Sequence, residues 1–268
     1  MYVARLRYIQ TIHESPERRN PDTQVRHFIP LLQRLQAAWL GQKELSRLRS
    51  DPFYYYLVAR TQYYDQVIRD AISEGVERIV GVGCGSDTRA YRFRDQLCGQ
   101  GIKVLECDQA EAIREKKRLT KRWGQFGDVE YLAIDLNDGV WPALEEWLGA
   151  TRPKTLLLME GVSPYVNETA MRKFLHLLAT RLAAGSPVAY DYKVSGIKDD
   201  FGRGGRTEQP FRLSGSREQL AAFHQELGLD LEHMELSSAL SRRLLPSLNG
   251  SATPFEEDGL LRLRVAFA

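Results

Sequence analysis

The amino-terminal quarter of the chain carries apolar residues at helical spacing. Between Gln24 and Arg49 they recur at the spacing of one helix face. These residues are Val25, Phe28, Ile29, Leu32, Leu35 and Trp39. A further helix is predicted to begin after Asp51, a favourable N-cap, with Pro52 in its first position and Gly75 as its stop. The pattern therefore predicts a helical amino-terminal segment.

After this segment, short apolar runs alternate with helical stretches. The runs predict strands at Arg78–Val82, Lys103–Asp108, Val129–Asp135, Thr155–Glu160 and Pro187–Lys193. Helical spacing predicts helices at Gln109–Lys121, Ala143–Leu148 and Glu168–Ala183. Strands that alternate with helices are typical of an α/β fold, in which a parallel sheet has helices on both faces.

The carboxyl-terminal part has a different pattern. Ser195–Gly215 is rich in glycine and charge and is predicted to be a loop or lid. A helix is predicted at Arg217–Leu227, followed by strands at Asp230–Leu236 and Leu260–Phe267. The last strand alternates apolar and basic residues, which is the pattern of a strand with one exposed face.

The composition is that of a globular protein. Of 268 residues, 43% are hydrophobic and 27% are charged, which excludes general disorder. The net charge of +2 argues against a dedicated nucleic-acid clamp. We expect one domain over residues 1–268. It would comprise a helical lid (1–75), a cofactor-binding core (76–194) and a last part (195–268) that contains the lid loop, a helix and the final strands.

The cysteines and the apolar runs indicate the compartment. Cys84, Cys98 and Cys107 form no CxxC pair, and we predict neither a disulfide framework nor a metal site. The sequence contains no signal-peptide pattern and no uninterrupted apolar run of 18 residues. We therefore expect a cytoplasmic protein without a nucleic-acid or membrane partner. The oligomeric state stays open.

A glycine loop follows the first predicted strand. Residues 78–93 read RIVGVGCGSDTRAYRF, with Gly83 and Gly85 directly after the strand. Glycines at this point let the chain turn sharply and let a ligand approach bare backbone, with helix N–H groups facing it. Folds that bind dinucleotides and folds that bind S-adenosylmethionine both use such a loop. Ser86 and Asp87 occupy the place of the third glycine in the dinucleotide motif, which weakens that interpretation.

Acidic residues end the second and third predicted strands. Asp108 lies 23 residues after Gly85, close to the spacing of about 20 at which an acid binds ribose hydroxyls. The alternative for Asp108 is a plain N-cap of the next helix. Asp135 could accept a hydrogen bond from an adenine amino group while Leu136 packs on the ring, or it could be a loop residue. Glu106 is expected to face a helix layer.

Two further charged residues lie in apolar surroundings. Glu160 ends the fourth predicted strand, at the edge where doubly wound sheets bind ligands, and a surface acid is the alternative. Arg60 shares with Tyr56 and Tyr64 a helical stripe that we expect to be buried. A buried guanidinium requires an anionic partner, either a protein carboxylate or that of an amino-acid-like cofactor such as S-adenosylmethionine. The substitution Arg60→Ala is expected to weaken cofactor affinity and to leave the fold intact.

These segments resemble the leucine carboxyl methyltransferase family. The resemblance runs from about Tyr56 to Val166. It rests on ART at 59–61, GVGCGSDTRAYRF at 81–93, ECDQAEAIREKKRL at 106–119, DL at 135–136 and MEGVSPYV at 159–166. The family includes a methyltransferase of a phosphatase carboxyl terminus, a tRNA wybutosine-pathway enzyme and bacterial O-methyltransferases of polyketide-type secondary metabolism. Two departures from the protein-methylating members favour a small-molecule enzyme. Ala110 stands where proline is common, and an N-terminal lysine has no clear counterpart, although Arg26 lies in a comparable region.

The resemblance implies a fold, a cofactor and residue roles. The implied fold is a Rossmann-like class I methyltransferase sheet of seven strands, with an antiparallel last strand and an N-terminal helical lid. The implied cofactor is S-adenosylmethionine. Its implied binding residues are Arg60 for the carboxylate, Gly83 and Gly85 for the methionine portion, Asp108 for the ribose, Asp135 and Leu136 for adenine, and Glu160 near the amino group.

The predicted reaction is O-methylation of a carboxylate or hydroxyl of a small molecule in secondary metabolism. No residue is predicted to be catalytic, although His27, Tyr64, Tyr165 and Tyr192 are candidate bases. One alternative is methylation of a protein carboxyl terminus. Others are a nicotinamide-dependent oxidoreductase, for which the chain lacks the frequent Tyr-x-x-x-Lys pair, and a binding or scaffold protein without activity.

Overall fold

The computed structural model describes residues 2–121, 129–197, 211–248 and 252–267. The α-helices within them are α1 (Tyr2–His13), α2 (Leu31–Ala38), α3 (Gln42–Arg49), α4 (Pro52–Ser73), α5 (Arg89–Arg92), α6 (Arg94–Gly99), α7 (Ala110–Thr120), α8 (Pro142–Leu148), α9 (Glu168–Arg181), α10 (Arg217–Gln225) and α11 (Ser237–Leu244). The strands are β1 (Arg78–Val82), β2 (Lys103–Asp108), β3 (Val129–Ala133), β4 (Thr155–Met159), β5 (Pro187–Val194), β6 (Arg212–Leu213), β7 (Leu229–Leu236) and β8 (Asp258–Val265). Residues 198–210 of the predicted lid loop lie outside the described residues.

The strands form one mixed sheet in the order β3-β2-β1-β4-β5-β8-β7, and the short β6 also pairs with β5. Among β1 to β5, every pair of neighbouring strands is parallel. Strand β8 is antiparallel to both of its neighbours, β5 and β7. The predicted seven-stranded arrangement with an antiparallel last strand is therefore confirmed. The strand order reverses between β1 and β4, and the carboxyl ends of the central strands meet at that edge, where such sheets bind ligands.

Helices cover both faces of the sheet. Successive side chains of a strand point to opposite faces, so that Ile79 packs with α4 and Val80 packs with α9. On the first face, α1, α3 and α11 contribute to the same core as α4. On the second face, the core is built from α8, α9 and α10. Two apolar layers thus fix the sheet edge that carries the candidate site.

Helix α4 begins and ends as the sequence predicts. The carboxylate of Asp51 accepts a hydrogen bond from the backbone N–H of Phe53 at 2.9 Å, with Pro52 in the first helical position. Gly75, which follows the helix, has a φ of +74°, a conformation that glycine adopts without strain. Because α4 is covered by other elements, Arg60 is only 6% exposed.

The stretch from Gln24 to Arg49 differs from the continuous helical pattern that we predicted. A 3₁₀ helix occupies Thr23–Phe28, and α2 and α3 follow it as separate helices. Pro30 precedes α2 and Gly41 precedes α3, where the side chain of Glu44 accepts the N–H of Gly41 at 2.7 Å. Both residues interrupt helices. The sequence analysis also gave no element at α11 and none at β6.

Glu106 faces a helix, as predicted. Its carboxylate accepts a hydrogen bond from Nζ of Lys116 on α7 at 2.7 Å, and both side chains are buried. An ion pair satisfies both charges in an environment where either alone would be unstable. Glu106 therefore anchors α7 on the sheet and is not part of the ligand edge.

The cysteines Cys84, Cys98 and Cys107 are all unpaired, and only Cys98 is exposed. Among the described helices, none combines the length and the apolar character that a membrane span requires. Within the same ranges, no group of three or more potential metal ligands comes together.

Candidate cofactor and substrate site

Three cavities adjoin at the carboxyl ends of the central strands. The Asp108 cavity, of about 300 Å³, is lined by residues that include Gly83, Asp108, Asp135, Leu136, Val162 and Tyr165. The arginine cavity, of about 160 Å³, is lined by residues that include Arg7, Arg60, Tyr64, Gly83, Asp87, Arg89 and Glu160. The aromatic cavity, of about 560 Å³, is lined by residues that include Phe53, Arg60, Tyr165, Asp191, Tyr192, Lys193, Phe255, Glu257 and Asp258. Gly161 borders all three.

The glycine loop forms the wall between the Asp108 cavity and the arginine cavity. Gly83 has a φ of +66°, and a Cβ atom built on it would lie 2.1 Å from Cγ2 of Val162. Only glycine allows the loop and the segment after β4 to approach so closely. Gly85, with a φ of +35°, does not line the described cavities, but its N–H donates to Oδ2 of Asp108 at 2.8 Å. The loop and the acid predicted to bind ribose are thus directly connected.

Asp108 lies at the carboxyl end of β2 and lines the cavity named after it. The N-cap of α7 is Gln109, one residue further on. Oδ1 of Asp108 accepts the backbone N–H of Gln109 at 2.7 Å, and Oδ2 accepts that of Gly85. Each carboxylate oxygen has a second lone pair, so the side chain can accept further hydrogen bonds from a ligand.

Asp135 and Leu136 form the opposite side of the Asp108 cavity. Oδ1 of Asp135 accepts the N–H of Asn137 at 2.9 Å and thereby caps the short 3₁₀ helix Leu136–Asp138. Its Oδ2 accepts Nε2 of Gln109 at 2.9 Å. Leu136 is buried and presents an apolar surface to the cavity. The three residues predicted to hold a nucleoside therefore line one cavity.

Arg60 has protein partners, which was one of the two alternatives for this buried cation. Its Nε donates to Oε1 of Glu160 at 3.1 Å, and its Nη1 donates to Oδ2 of Asp191 at 3.2 Å. Asp258 is 3.9 Å from Nη1. The third nitrogen, Nη2, lies next to Gly161 at the junction of the cavities. A Cβ atom built on Gly161 would be 3.5 Å from it. No hydrogen bond joins Nη2 to another described residue, so this nitrogen is available to a ligand.

Glu160 lies between two arginines. Besides the bond from Arg60, its Oε2 accepts Nη1 of Arg89 at 2.7 Å. Burial alone would raise the pKa of Glu160, but Arg89 and Arg60 hold it below its usual range. Arg89 also donates to Asp87 at 2.8 Å and to Asp65 at 2.9 Å. Glu160 is therefore an ionised acid inside the arginine cavity and not a surface acid.

Arg7 is a residue of the site that the sequence analysis missed. Its Nη1 donates to Asp22 at 2.9 Å, and its Nη2 donates to the carbonyl of Ser86 at 3.3 Å. Its Nε is buried and has no hydrogen-bond partner among the described residues. Arg26, which we placed in the region of the family's N-terminal lysine, is exposed on the 3₁₀ helix instead. Helical spacing from Val3 would have indicated Arg7, as it indicated Arg60 on α4.

The arginine cavity carries charges of both signs. Arg7, Arg60 and Arg89 face it together with Asp87 and Glu160. The cations exceed the anions by one, and Nε of Arg7 has no hydrogen-bond partner in the part of the chain that the structure describes. Such a lining is complementary to a ligand that has a carboxylate and an ammonium group close together.

The candidate bases are dispersed. Tyr165 and Tyr192 line the aromatic cavity, and Tyr64 lines the arginine cavity, where its hydroxyl donates to the carbonyl of Met159 at 3.3 Å. Tyr192 donates to the carbonyl of Ser214 at 3.1 Å. His27 does not line the three cavities. Asp191, which no sequence argument singled out, lines the aromatic cavity from β5.

Solved structures with the same fold are similar over most of this chain. Magnesium protoporphyrin IX methyltransferase from Synechocystis PCC 6803, solved with bound SAH, has a TM-score of 0.51 and 12% identity, covering 84% of this chain and 94% of that one. The [4+2]-cyclase SpnF has a TM-score of 0.50 and 13% identity, covering 78% of this chain and 83% of that one. These likenesses confirm the class I methyltransferase fold and do not specify a reaction.

Over the aligned segments, curated relatives are identical to this chain at about a third of the positions. A protein from Mycolicibacterium paratuberculosis, named "Putative S-adenosyl-L-methionine-dependent methyltransferase", is 32% identical over 168 residues, which are 58% of this chain and 52% of that protein. A protein of the same description from Mycolicibacterium smegmatis is 31% identical over 189 residues, or 68% and 57% of the two chains. This chain therefore spans little more than half the length of either relative.

The family assignment rests on the match to a family model. Residues 4–179 match the leucine carboxyl methyltransferase family, and this segment includes the glycine loop, Asp108, Asp135 and Glu160. The matched segment is more than half of the chain. The chain belongs to the leucine carboxyl methyltransferase family.

Proposed function

We propose that the chain binds S-adenosylmethionine and transfers its methyl group to an oxygen atom of a small molecule. The observation that carries the proposal is the pair of adjoining cavities on either side of Gly83. One is lined by acids and an apolar side chain suited to a nucleoside, and the other by charges of both signs. The family and the curated relatives support the same cofactor.

The Asp108 cavity fits the adenosine portion. Asp108 ends β2 at the place where a carboxylate binds both ribose hydroxyls in nucleoside-binding sheets. The carboxylate of Asp135 would accept a hydrogen bond from the adenine amino group, and Leu136 would pack on the ring. Gly83 has no side chain, so that the ligand chain can pass from this cavity into the next.

The arginine cavity fits the amino-acid tail. Nε of Arg7 and Nη2 of Arg60, which have no hydrogen bond to the described residues, would hold the carboxylate. Glu160 and Asp87 would attract the ammonium group. A buried donor without a partner is destabilising, and a bound carboxylate removes this penalty for Arg7. NAD has no such tail, and this argues against the oxidoreductase alternative.

When bound, the cofactor supplies an activated methyl group on a positively charged sulfur. The task of the chain is then to hold the acceptor in line with that methyl group and to exclude water. The aromatic cavity meets the other two at Gly161 and has the volume for an acceptor. The branch of secondary metabolism stays a prediction, because the acceptor is not identified. Methylation of a protein carboxyl terminus is the alternative within this class.

Calorimetric titration of the chain with S-adenosylhomocysteine, and separately with NAD, tests the proposal. We expect a dissociation constant on the order of micromolar for the first and no measurable heat for the second. Binding of NAD alone would support the oxidoreductase alternative. Binding of neither would overturn the cofactor assignment.

Asp108→Ala should weaken S-adenosylhomocysteine binding about 10- to 100-fold, because a charged hydrogen-bond acceptor contributes about 1.5–3 kcal/mol. Asp108→Asn retains an oxygen for Gly85 and should show a smaller loss. Asp138→Ala is the matched control, since this exposed acid lies three residues beyond Asp135 and does not line the Asp108 cavity. Equal affinities for Asp108→Ala and Asp138→Ala would contradict the ribose-binding role.

A further inference from the structure

The aromatic cavity contains more acids than bases. Its described lining includes the four acids Asp51, Asp191, Glu257 and Asp258 and the two bases Arg60 and Lys193. When all are ionised, the excess is two negative charges. A cavity of one sign raises the local concentration of oppositely charged molecules and lowers that of like-charged ones. An anionic acceptor would therefore enter it unfavourably.

Both bases are already paired with protein acids. Nζ of Lys193 is 2.9 Å from Oε2 of Glu257 and 2.8 Å from Oδ1 of Asp258. Arg60 is held by Glu160 and Asp191. The one nitrogen of Arg60 that has no bond to a described residue, Nη2, is assigned to the cofactor carboxylate in the proposed function. Among the described residues that line this cavity, no cation is therefore left to neutralise a carboxylate acceptor. A buried charge without a partner is strongly disfavoured.

The remaining lining is suited to an uncharged ring. Phe53 and Phe255 lie edge to face, with ring centroids 5.5 Å apart. Tyr192 on β5 also lines the cavity. The guanidinium of Arg60 lies 5.6 Å from the centre of the Phe53 ring. Aromatic walls of this kind pack well against planar apolar molecules.

Asp191 connects this lining to the junction of the cavities. Its Oδ1 accepts the N–H of Gly161 at 2.7 Å, and its Oδ2 accepts Nη1 of Arg60 at 3.2 Å. Gly161 borders all three cavities, so the carboxylate lies one hydrogen bond from the place where methyl donor and acceptor would meet. Each oxygen retains a lone pair that can accept a proton.

The surroundings of Asp191 allow it to take up a proton near neutral pH. The titratable and charged groups that face it are Arg60, Tyr56 and Tyr64 from α4, Glu160 after β4, Asp258 from β8 and Lys193 from its own strand. Burial raises the pKa of Asp191 to about 7, with Asp258 adding to the rise and Arg60 opposing it. A base is most effective when its pKa lies near the working pH.

Building on the proposed function, we propose that the aromatic cavity binds the methyl acceptor as an uncharged hydroxyl compound and that Asp191 receives the hydroxyl proton. The hydroxyl oxygen forms a bond to the transferred methyl carbon while the bond from that carbon to sulfur breaks, with its electron pair left on sulfur. The proton leaves the oxygen for the Asp191 carboxylate. A carboxylate acceptor would need no such base, but it would have to enter an acidic cavity.

The charge of the cavity can be measured without knowing the acceptor. The variant carries Tyr165→Cys, which introduces a thiol into the cavity, and Cys98→Ser, which removes the exposed native thiol. The introduced thiol is treated separately with two methanethiosulfonate reagents. One carries a trimethylammonium group and the other a sulfonate group. Tyr165 lines the cavity and is 42% exposed. The reference is the same pair of rates at Cys98 in the unmodified protein, since the other cysteines are buried.

For each thiol, the rate of modification by the cationic reagent is divided by the rate with the anionic reagent. We expect this ratio to be about tenfold higher at the introduced thiol than at Cys98, because surface potentials reach several kT. A ratio equal to or below that at Cys98 would overturn the proposal of an uncharged acceptor. The ionisation of the thiol cancels in the ratio, since both reagents attack the same thiolate. S-adenosylhomocysteine titration of the same protein reports separately on the proposed function.

The pH dependence of this ratio tests Asp191. Ionisation of Asp191 makes the cavity more negative, so the ratio should rise as the pH increases through about 7. The described lining contains no histidine that could titrate there. Asp191→Asn should abolish the rise, whereas Glu257→Gln should lower the ratio and retain the rise. A ratio that does not change with pH in the parent protein would overturn the role of Asp191, even if Asp191→Asn does not fold.

Discussion

Replacement of Arg60 by alanine should lower the free energy of unfolding by about 3–5 kcal/mol, because it leaves buried acids without their cation. Glu160 and Asp191 are both bonded to this guanidinium, and their side chains are 14% and 3% exposed. Urea unfolding of the two proteins measures the difference. This result would differ from our expectation from sequence, in which the substitution left the fold intact.

Two comparisons isolate the cause of the Arg60 effect. Arg118 pairs with Glu115 on the surface of α7, and Arg118→Ala should change stability little, since exposed pairs contribute little. The double substitution of Arg60→Ala with Asp191→Asn should recover part of the loss, because one stranded acid is removed. A loss in Arg60→Ala no larger than in Arg118→Ala would contradict the account of the buried network.

The loss of stability caused by Arg60→Ala should be smaller at low pH than at high pH. The pKa of Asp191 is already raised to about 7 in the folded protein, and without Arg60 it should rise further. A carboxyl whose folded pKa exceeds its unfolded pKa stabilises the fold at low pH and loses that contribution as the pH rises. The variant should therefore be less destabilised at about pH 6 than at about pH 8.

Gly83→Ala should have the second large effect, on both stability and cofactor binding. The left-handed conformation costs a residue with a Cβ atom about 1–2 kcal/mol, and overpacking typically adds about 1–3 kcal/mol. The overpacking arises because the new Cβ atom would lie 2.1 Å from Cγ2 of Val162. Relief of this contact would move the loop that separates the Asp108 cavity from the arginine cavity. Thermal unfolding and S-adenosylhomocysteine titration measure the two consequences.

Gly75→Ala is the matched control for the Gly83 substitution. Gly75 has a φ of +74°, but no atom lies within 4 Å of a Cβ atom built on it. It should therefore show only the conformational part of the effect and unchanged affinity. Combining Gly83→Ala with Val162→Ala should restore part of the stability, because the clashing methyl group is removed. No recovery in the double variant would show that the contact with Val162 is not the cause.

The parallel core of the fold was predictable because its signals are local. The predicted bounds of β1 and β2 match the structure, since a short and mainly apolar run marks each buried strand. The amino-terminal lid was less predictable. Trp39 and Leu32 have helical spacing, yet they are 85% and 67% exposed, because Pro30 and Gly41 divide the segment into short helices that bury other residues.

The sequence predicted those parts of the site that depend on the position of a single residue. It did not predict those parts that depend on contacts between residues far apart in the chain. The spacing of Asp108 from the glycine loop indicated its cavity. The partners of Arg60 were not readable, because Glu160 and Asp191 lie 100 and 131 positions away along the chain. Arg7 and Asp191 carried the same signal as Arg60 and Glu160, a charge within an apolar pattern. That signal predicts a partner, and only the three-dimensional structure identifies it.

The most direct test of the central claim is a crystal structure of this chain grown with S-adenosylhomocysteine. The account predicts adenosine between Asp108 and Leu136, and the amino-acid tail on the far side of Gly83 among Arg7, Arg60 and Glu160. Electron density for the nucleoside at another face of the sheet would contradict it. So would a tail that points away from the arginine cavity.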